Sequence, residues 1–238
     1  MGAHPSLITA RRIQAKEHNQ RVKELLPKDE APSLRADFAR CAIDLALEHH
    51  SALVRVTEAG EHGTAGALLR PILEAAAIGY WFVYVAPCSR ILALSTSSED
   101  NPEKDTPMLG EIVRDLVPTF PPIQRLADGL THRGFAKWLH KYTHGGTPQL
   151  ARRSPGGWQE DEVMLTLLRA DLFLTLAATL ETAIARHPEL ARYGFGYRDQ
   201  LADELHTRFG GEQIPQQPHN HPAAPLLDEG CGPPFRRA

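Results

Sequence analysis

Between Thr64 and Ala86 the chain carries apolar residues all round a helical wheel. Leu68, Leu69, Ile72, Ala75, Ala76, Tyr80 and Val83 do not fall on a single stripe. A helix that is apolar on every side has to be surrounded by other structure. The segment therefore predicts a central helix, and the rest of the chain has to supply helices to cover it. Pro71 interrupts its early part, where it removes a backbone bond or kinks the helix, and Pro87 ends it.

The covering helices are legible in the same way. Residues 7–26 form a polar helix with a thin apolar stripe of Leu7, Ile8, Ile13, Val22, Leu25 and Leu26, stopped by Pro27. Ser33 is placed to cap a second helix, in which Phe38, Cys41, Ala42, Leu45, Leu53 and Val56 keep a helical period to about Ala59. Gly60 and Gly63 mark a turn, and a short helix is predicted over Ser89–Leu94. The polar run 95–104 reads as an exposed loop, and Thr106-Pro107 reads as a helix start. Pro118, Pro121 and Pro122 force a break before helices over Ile123–Leu130 and Gly134–His144. A last long helix is predicted from Gln159 to His187, with Glu160, Asp161 and Glu162 in its first turn, Leu165, Leu168, Leu172, Leu176 and Leu180 on its core face, and Pro188 as its stop. One more helix is predicted around Leu201–Phe209. The proline-, glycine- and glutamine-rich tail from Gly210 reads as disordered. No stretch alternates well enough to require a sheet, and no repeat stands out.

The fold class that follows is all-α, a helical bundle with extra terminal helices. Residues 1–32 are an N-terminal helix and linker, 33–187 the bundle core, 188–209 a peripheral helical segment and 210–238 the tail. At 238 residues and 42% apolar content the chain can bury a core without staples. Its net charge of −3 argues against a generally basic, nucleic-acid-coating surface but leaves room for a local basic patch. Cys41, Cys88 and Cys231 are odd in number and lack CxxC spacing, so no disulfide framework is expected and a reducing compartment fits better. Ala75–Ala86, an apolar run of 12 residues, is short of the roughly 20 that a membrane span needs. The start lacks the build of a signal peptide. A soluble, cytoplasmic protein with no membrane partner is the reading.

Two constellations carry chemistry. His140 and His144 lie four residues apart in Leu139-His140-Lys141-Tyr142-Thr143-His144-Gly145-Gly146, so they share a helix face. The double glycine gives a permissive C-terminal cap, which places His144 in the last turn and lets a ligand backbone approach it. Imidazole exchanges protons near neutral pH. Arg70 and Glu74 are also four apart, inside the apolar central helix, where each charge needs a partner. They read either as an internal ion pair that fixes helix register or as an arginine for phosphate beside a carboxylate that orients a histidine. A structural network of Arg70, Glu74 and His144 is predicted across the core. Arg133, Lys137, Lys141, Arg152 and Arg153 form a basic rim near the histidines. A zincin motif would need glutamate where Lys141 stands, and the chain lacks the paired Glu-x-x-His patterns of a two-metal bundle. No metal or cofactor is expected. Gly156 and Gly157 do not form a P-loop, and no serine sits in a nucleophile elbow. His49 and His50 read as structural or surface residues, and His219 and His221 fall in the tail.

Taken together, Ala67-Leu68-Leu69-Arg70-Pro71-Ile72-Leu73-Glu74 and the histidine segment resemble an uncharacterised bacterial family of all-helical proteins, distantly similar to the HEPN superfamily. The resemblance covers about residues 35–185. It implies a helical bundle, often dimeric, that acts as a metal-independent ribonuclease of a toxin or defence-type system, or as an RNA-binding module that has lost catalysis. The catalytic pattern of that superfamily is an arginine, four to six residues, then a histidine. Arg133 and His140 have six residues between them, with Gly134 where a polar residue is usual. His144 has Lys137 at the matching spacing, so Arg70 is the candidate to supply its positive charge. The implied partners are RNA, a second copy of the chain, or a partner protein such as an antitoxin. The alternative is a non-catalytic helical scaffold with a structural Arg-Glu-His network.

Overall fold

The computed structural model describes residues 6–96, 106–124, 135–153, 157–210 and 231, and among them there are helices and no strand. The fold is an all-α bundle. Ten α-helices are described: α1 Leu7–Leu25, α2 Leu34–Glu58, α3 His62–Tyr84, α4 Cys88–Ser95, α5 Leu109–Leu116, α6 Phe135–Thr143, α7 Thr147–Ala151, α8 Glu160–Thr179, α9 Glu181–Ala185 and α10 Pro188–Phe209. A 3-10 turn at Pro121–Ile123 follows α5. Most of the loop 95–104, the expected helix beyond Gln124, Arg133, His219, His221 and nearly all of the tail lie outside the described residues.

α3 is the central helix. It packs along α2 and also meets α5, α6 and α8. Leu69, Ile72, Trp81 and Val83 of α3 join Ile43, Leu47 and Leu53 of α2, Val22 and Leu25 of α1, Ile112 and Leu116 of α5, Leu139 of α6, and Leu167 and Leu174 of α8 in one core. α10 lies on α8, where Met164, Leu168 and Leu201 form a smaller cluster. The terminal helices α1 and α10 thus both rest on α8. Two helical stretches, His62–Tyr84 and Glu160–Ala185, are long and apolar enough to cross a membrane by length and composition. In the bundle 61% and 78% of the apolar 18-residue spans within them are buried, as the core role of α3 and α8 requires.

The caps explain several boundaries. Ser6 Oγ accepts from the Thr9 N–H at 3.2 Å, and Ser33 Oγ accepts from the Ala36 N–H at 3.3 Å, each satisfying an orphan donor of a first turn. α5 begins at Leu109, later than Thr106-Pro107 suggests, because Glu111 reaches back to the Met108 N–H at 3.0 Å. α3 begins at His62, so Gly63 lies inside it, and Gly60 alone makes the turn with φ +78°.

The predicted single helix from Gln159 to His187 is divided. α8 stops at Thr179, α9 follows after Leu180, and Arg186 takes φ +47°. Hydroxyls compete for the backbone here. Thr182 Oγ1 donates to Thr179 O at 2.7 Å, and the Leu180 N–H tightens onto Ala177 O at 3.2 Å. Pro188 then does not merely stop a helix. It is the first residue of α10, with His187 Nδ1 accepting the Leu190 N–H at 3.2 Å, so the final helix starts well ahead of Leu201.

The cysteines depart from expectation as well. Cys88 and Cys231 are joined by a disulfide across 143 residues of sequence, while Cys41 is outside that bond and exposed. Their spacing gave no hint, because the pairing depends on where residue 231 folds back.

Candidate functional site

The site is built where α6 docks on α3, and Pro71 takes part in the docking. Proline has no N–H for the carbonyl four residues earlier, which is Ala67 O. The Thr143 hydroxyl of α6 lies 3.4 Å from that carbonyl while also donating to Leu139 O at 3.0 Å. One turn away Gly66 allows close contact. A Cβ there would lie 2.9 Å from Tyr142 Cδ1, and Tyr142 is buried to 1% exposure. Gln149 of α7 ties the same corner by donating to Gly63 O at 3.0 Å and to Tyr142 O. α6 is therefore held at a fixed height along α3, opposite Arg70.

At that height Arg70 Nε donates to Glu74 Oε1 at 2.7 Å, and Arg70 Nη1 lies 2.6 Å from His140 Nδ1. The His140 and His144 rings are 4.3 Å apart, centroid to centroid, tilted by 54°. The arginine thus meets His140, and His144 joins through ring contact. The predicted direct Arg70–Glu74–His144 core network is replaced by a surface chain in the order Glu74, Arg70, His140, His144. His140 and His144 are exposed, and the Arg70 and Glu74 side chains are 19% and 32% exposed. His144 is the residue just past α6 rather than within its last turn. Its N–H still bonds His140 O at 3.0 Å, Gly145 takes φ +65°, and the Gly146 N–H closes onto Lys141 O at 2.7 Å. That is the glycine-terminated helix end which the double glycine predicts.

A guanidinium can only donate, so His140 Nδ1 accepts and the ring proton is on Nε2. Partial desolvation, then the neighbouring His144 and Arg70, hold His140 below the ordinary histidine pKa. The ring is a neutral donor–acceptor, suited to moving protons near neutral pH. The basic rim is thinner than the sequence suggests. Arg152 is committed to Glu162, with Nε donating to Oε2 at 3.0 Å, and lies 6.0 Å over the Trp158 ring. Lys141 and Arg153 are exposed. Arg133 and the Lys137 side chain lie outside the described residues. Among the described residues no group of three or more His, Cys, Asp or Glu side chains is arranged to hold a metal.

A second polar cluster, not anticipated from the sequence, lies inside the bundle where α1, α2, α8 and α10 meet. Asp171 is fully buried. Its Oδ1 lies 2.6 Å from His50 Nε2, and its Oδ2 accepts from Tyr197 at 3.1 Å and pairs with Arg11. Asn19 Nδ2 donates to Leu47 O and reaches His50 Nδ1, both at 3.1 Å, which leaves the His50 ring proton facing Asp171. Thr175 Oγ1 donates to Asp171 O at 2.7 Å and so accepts from His18 Nε2 at 3.0 Å. His18 Nδ1 in turn accepts from the Tyr193 hydroxyl at 2.8 Å. Burial drives the His18 pKa down to about 4 and the Tyr193 pKa up to about 12. Burial also works to raise Asp171, but the His50 hydrogen bond and the Arg11 charge outweigh it and hold the carboxyl below its usual value. Gln14, Glu204 and the two tyrosines line a cleft of about 390 Å³ above this cluster. A sequence signal existed. Arg11, His18 and Asn19 share the buried face of α1 with Ala15, Val22 and Leu25, so polar residues occupy core positions.

Fold and surface together define an all-α bundle that presents an arginine and two imidazoles at the junction of two helices. Residues 43–206 match the model of a family of unknown function, DUF6988, and the chain belongs to that family. The match includes Arg70, Glu74, His140 and His144, together with His50, Asp171, Tyr193 and Tyr197, and leaves out α1 with Arg11 and His18. No curated protein and no solved structure matches the chain.

Proposed function

We propose that the protein is a metal-independent ribonuclease of the HEPN-like kind, acting on single-stranded RNA in a toxin or defence-type system. The observation that carries this reading is the convergence of Arg70, His140 and His144 at one solvent-accessible point, with Arg70 Nη1 2.6 Å from His140. A purely structural trio would be buried and closed off, and both imidazoles here face solvent. RNA supplies its own nucleophile, so the protein needs a base, an acid and a positive charge. An incoming phosphate draws Arg70 from His140 Nδ1. The freed nitrogen takes the 2′-hydroxyl proton as that oxygen attacks phosphorus. His144 protonates the departing 5′-oxygen, leaving a 2′,3′-cyclic phosphate and a 5′-hydroxyl. Glu74 keeps the guanidinium oriented. On this reading the protein works in the cytoplasm. Because Glu162 already takes Arg152, a homodimer or a partner protein would supply further positive charge to the rim.

The test is cleavage of single-stranded RNA by purified protein in EDTA. Wild type should cleave, and His140→Ala and His144→Ala should each lose most activity with the helical circular dichroism intact. Undiminished cleavage by both variants assigns the activity elsewhere. Absence of cleavage by wild type across RNAs of varied sequence favours the second reading, a helical scaffold. That reading has its own support, since Glu74 and His140 already occupy two of Arg70's donor nitrogens.

A further inference from the structure

We propose that Cys88 and Cys231 are a reversible thiol–disulfide pair in which Cys88 is the exchanging sulfur. The two sulfurs share a buried cation. Arg35 of α2 has 0% exposure, and its Nη2 lies 3.5 Å from Cys88 Sγ and 3.2 Å from Cys231 Sγ. The same guanidinium is fixed from the other side, where Nη1 donates to Phe82 O and, at 2.7 Å, to Ala86 O, the carbonyls around the end of α3. Arg35 is thus anchored by backbone carbonyls that do not depend on the sulfur–sulfur bond.

A thiolate is the species that attacks a disulfide, and both a neighbouring guanidinium and a helix N-terminus stabilise it. Cys88 has both, because it is the first residue of the eight-residue α4 and is half-buried rather than sealed. Cys231 is only 3% exposed, which suits a resolving cysteine. It stands 22 residues past Phe209, the last residue of α10, so the bond fastens a distant point of the chain beside the α3–α4 junction.

The co-reactant is a low-molecular-weight disulfide such as glutathione disulfide. The Cys88 thiolate attacks one of its sulfurs, the S–S bond of the oxidant breaks, and one glutathione thiolate leaves with the electron pair and is protonated. Cys231 then loses its proton to solvent and attacks Cys88 Sγ, expelling the second glutathione. Two protein thiols are oxidised by two electrons, and one glutathione disulfide becomes two glutathiones.

The test uses the full chain, reduced and freed of reductant. Cys41 is exposed and serves as the internal control. At neutral pH, limiting iodoacetamide should label Cys88 several-fold faster than Cys41, read by peptide mass spectrometry. Added glutathione disulfide should yield a peptide pair linked through Cys88 and Cys231, and in Cys231→Ser a stable glutathione adduct on Cys88. In Arg35→Gln labelling of Cys88 should slow several-fold. If that variant does not fold, the Cys231→Ser adduct and the wild-type rate comparison still decide. Slower labelling of Cys88 than Cys41, or an adduct confined to Cys41, overturns the assignment of Cys88. Failure of glutathione disulfide to form the linked pair overturns the reversible pair itself.

Discussion

Arg70 Nη1 and His140 Nδ1 lie 2.6 Å apart, and that single distance fixes the protonation state of the imidazole. A guanidinium donor excludes a proton on Nδ1, so protonating His140 breaks the contact.

The first prediction follows from this geometry. His140 should titrate below the ordinary histidine value, because partial desolvation and the nearby His144 and Arg70 disfavour the charged ring. Arg70→Gln should move it upward. The Cε1–H resonance of His140 followed through a pH titration reads both, and an unchanged midpoint in the variant would remove Arg70 from the account. Glu74→Ala should cost little stability, about 1 kcal/mol or less, because the Arg70–Glu74 pair is partly solvated. A core network would predict a larger loss.

The second prediction concerns acid stability. His18 is buried neutral with its pKa lowered from 6.5 to about 4. The unfolded chain therefore binds a proton that the folded chain refuses. Folding stability should be fully present above pH 6.5 and fall between there and pH 4, by about 3 kcal/mol in all. Asp171, whose folded pKa is also depressed, adds a further loss at still lower pH as it protonates. Urea unfolding at half-unit pH steps gives the slope, and a flat profile between pH 6.5 and pH 4 would contradict a neutral buried His18.

The third prediction tests the interior ion pair. Asp171→Asn takes from Arg11, at 4% exposure, its buried counter-ion and leaves it the partly exposed Glu204 carboxylate 3.9 Å away. Breaking such a pair from one side costs about 3–5 kcal/mol. Adding Arg11→Met to that variant should recover part of the loss, since the stranded charge is gone. Chemical denaturation of the single and double variants checks it. A double variant no more stable than Asp171→Asn would mean that the loss comes from the His50 and Tyr197 contacts instead.

The fourth prediction concerns the crossing of α8 and α10. A Cβ on Gly194 would lie 2.5 Å from Thr179 Cγ2. Thr179 cannot simply rotate away, because its hydroxyl donates to Leu176 O at 3.0 Å. Overpacking of this kind costs about 1–3 kcal/mol, against a gain of about 1 kcal/mol from helix propensity. Gly194→Ala should therefore destabilise in wild type and be neutral or stabilising in a Thr179→Ser background, which lacks the offending methyl. Thermal denaturation of the four proteins closes the cycle. An equal effect in both backgrounds would locate the strain elsewhere.

The helices that cover α3 were legible because burial on one face imposes a 3.6-residue period, and Ser33 and Gly145 were legible because capping has few chemical solutions. The break at Thr179–Leu180 was not, since no proline or glycine marks it. Arg70, Glu74, His140 and His144 stood out because charged and ionisable groups on apolar helices are costly to bury. Which of them would touch depended on the height at which α6 docks, and that height depends on Gly66 against Tyr142 and on the carbonyl that Pro71 leaves unpaired.

The sequence by itself determined the all-α class, the central position of α3 and the shortlist of polar groups that need partners. Each of these follows from residue type and spacing within one helix. The tertiary structure decided that Arg70 meets His140 rather than His144, that Asp171 gathers Arg11, His50 and Tyr197 from three other helices, and that Cys231 reaches Cys88. Those contacts join residues 26 to 160 positions apart on different elements of the chain. No local period encodes which faces meet or in what register, because that is set by the packing of all the helices at once.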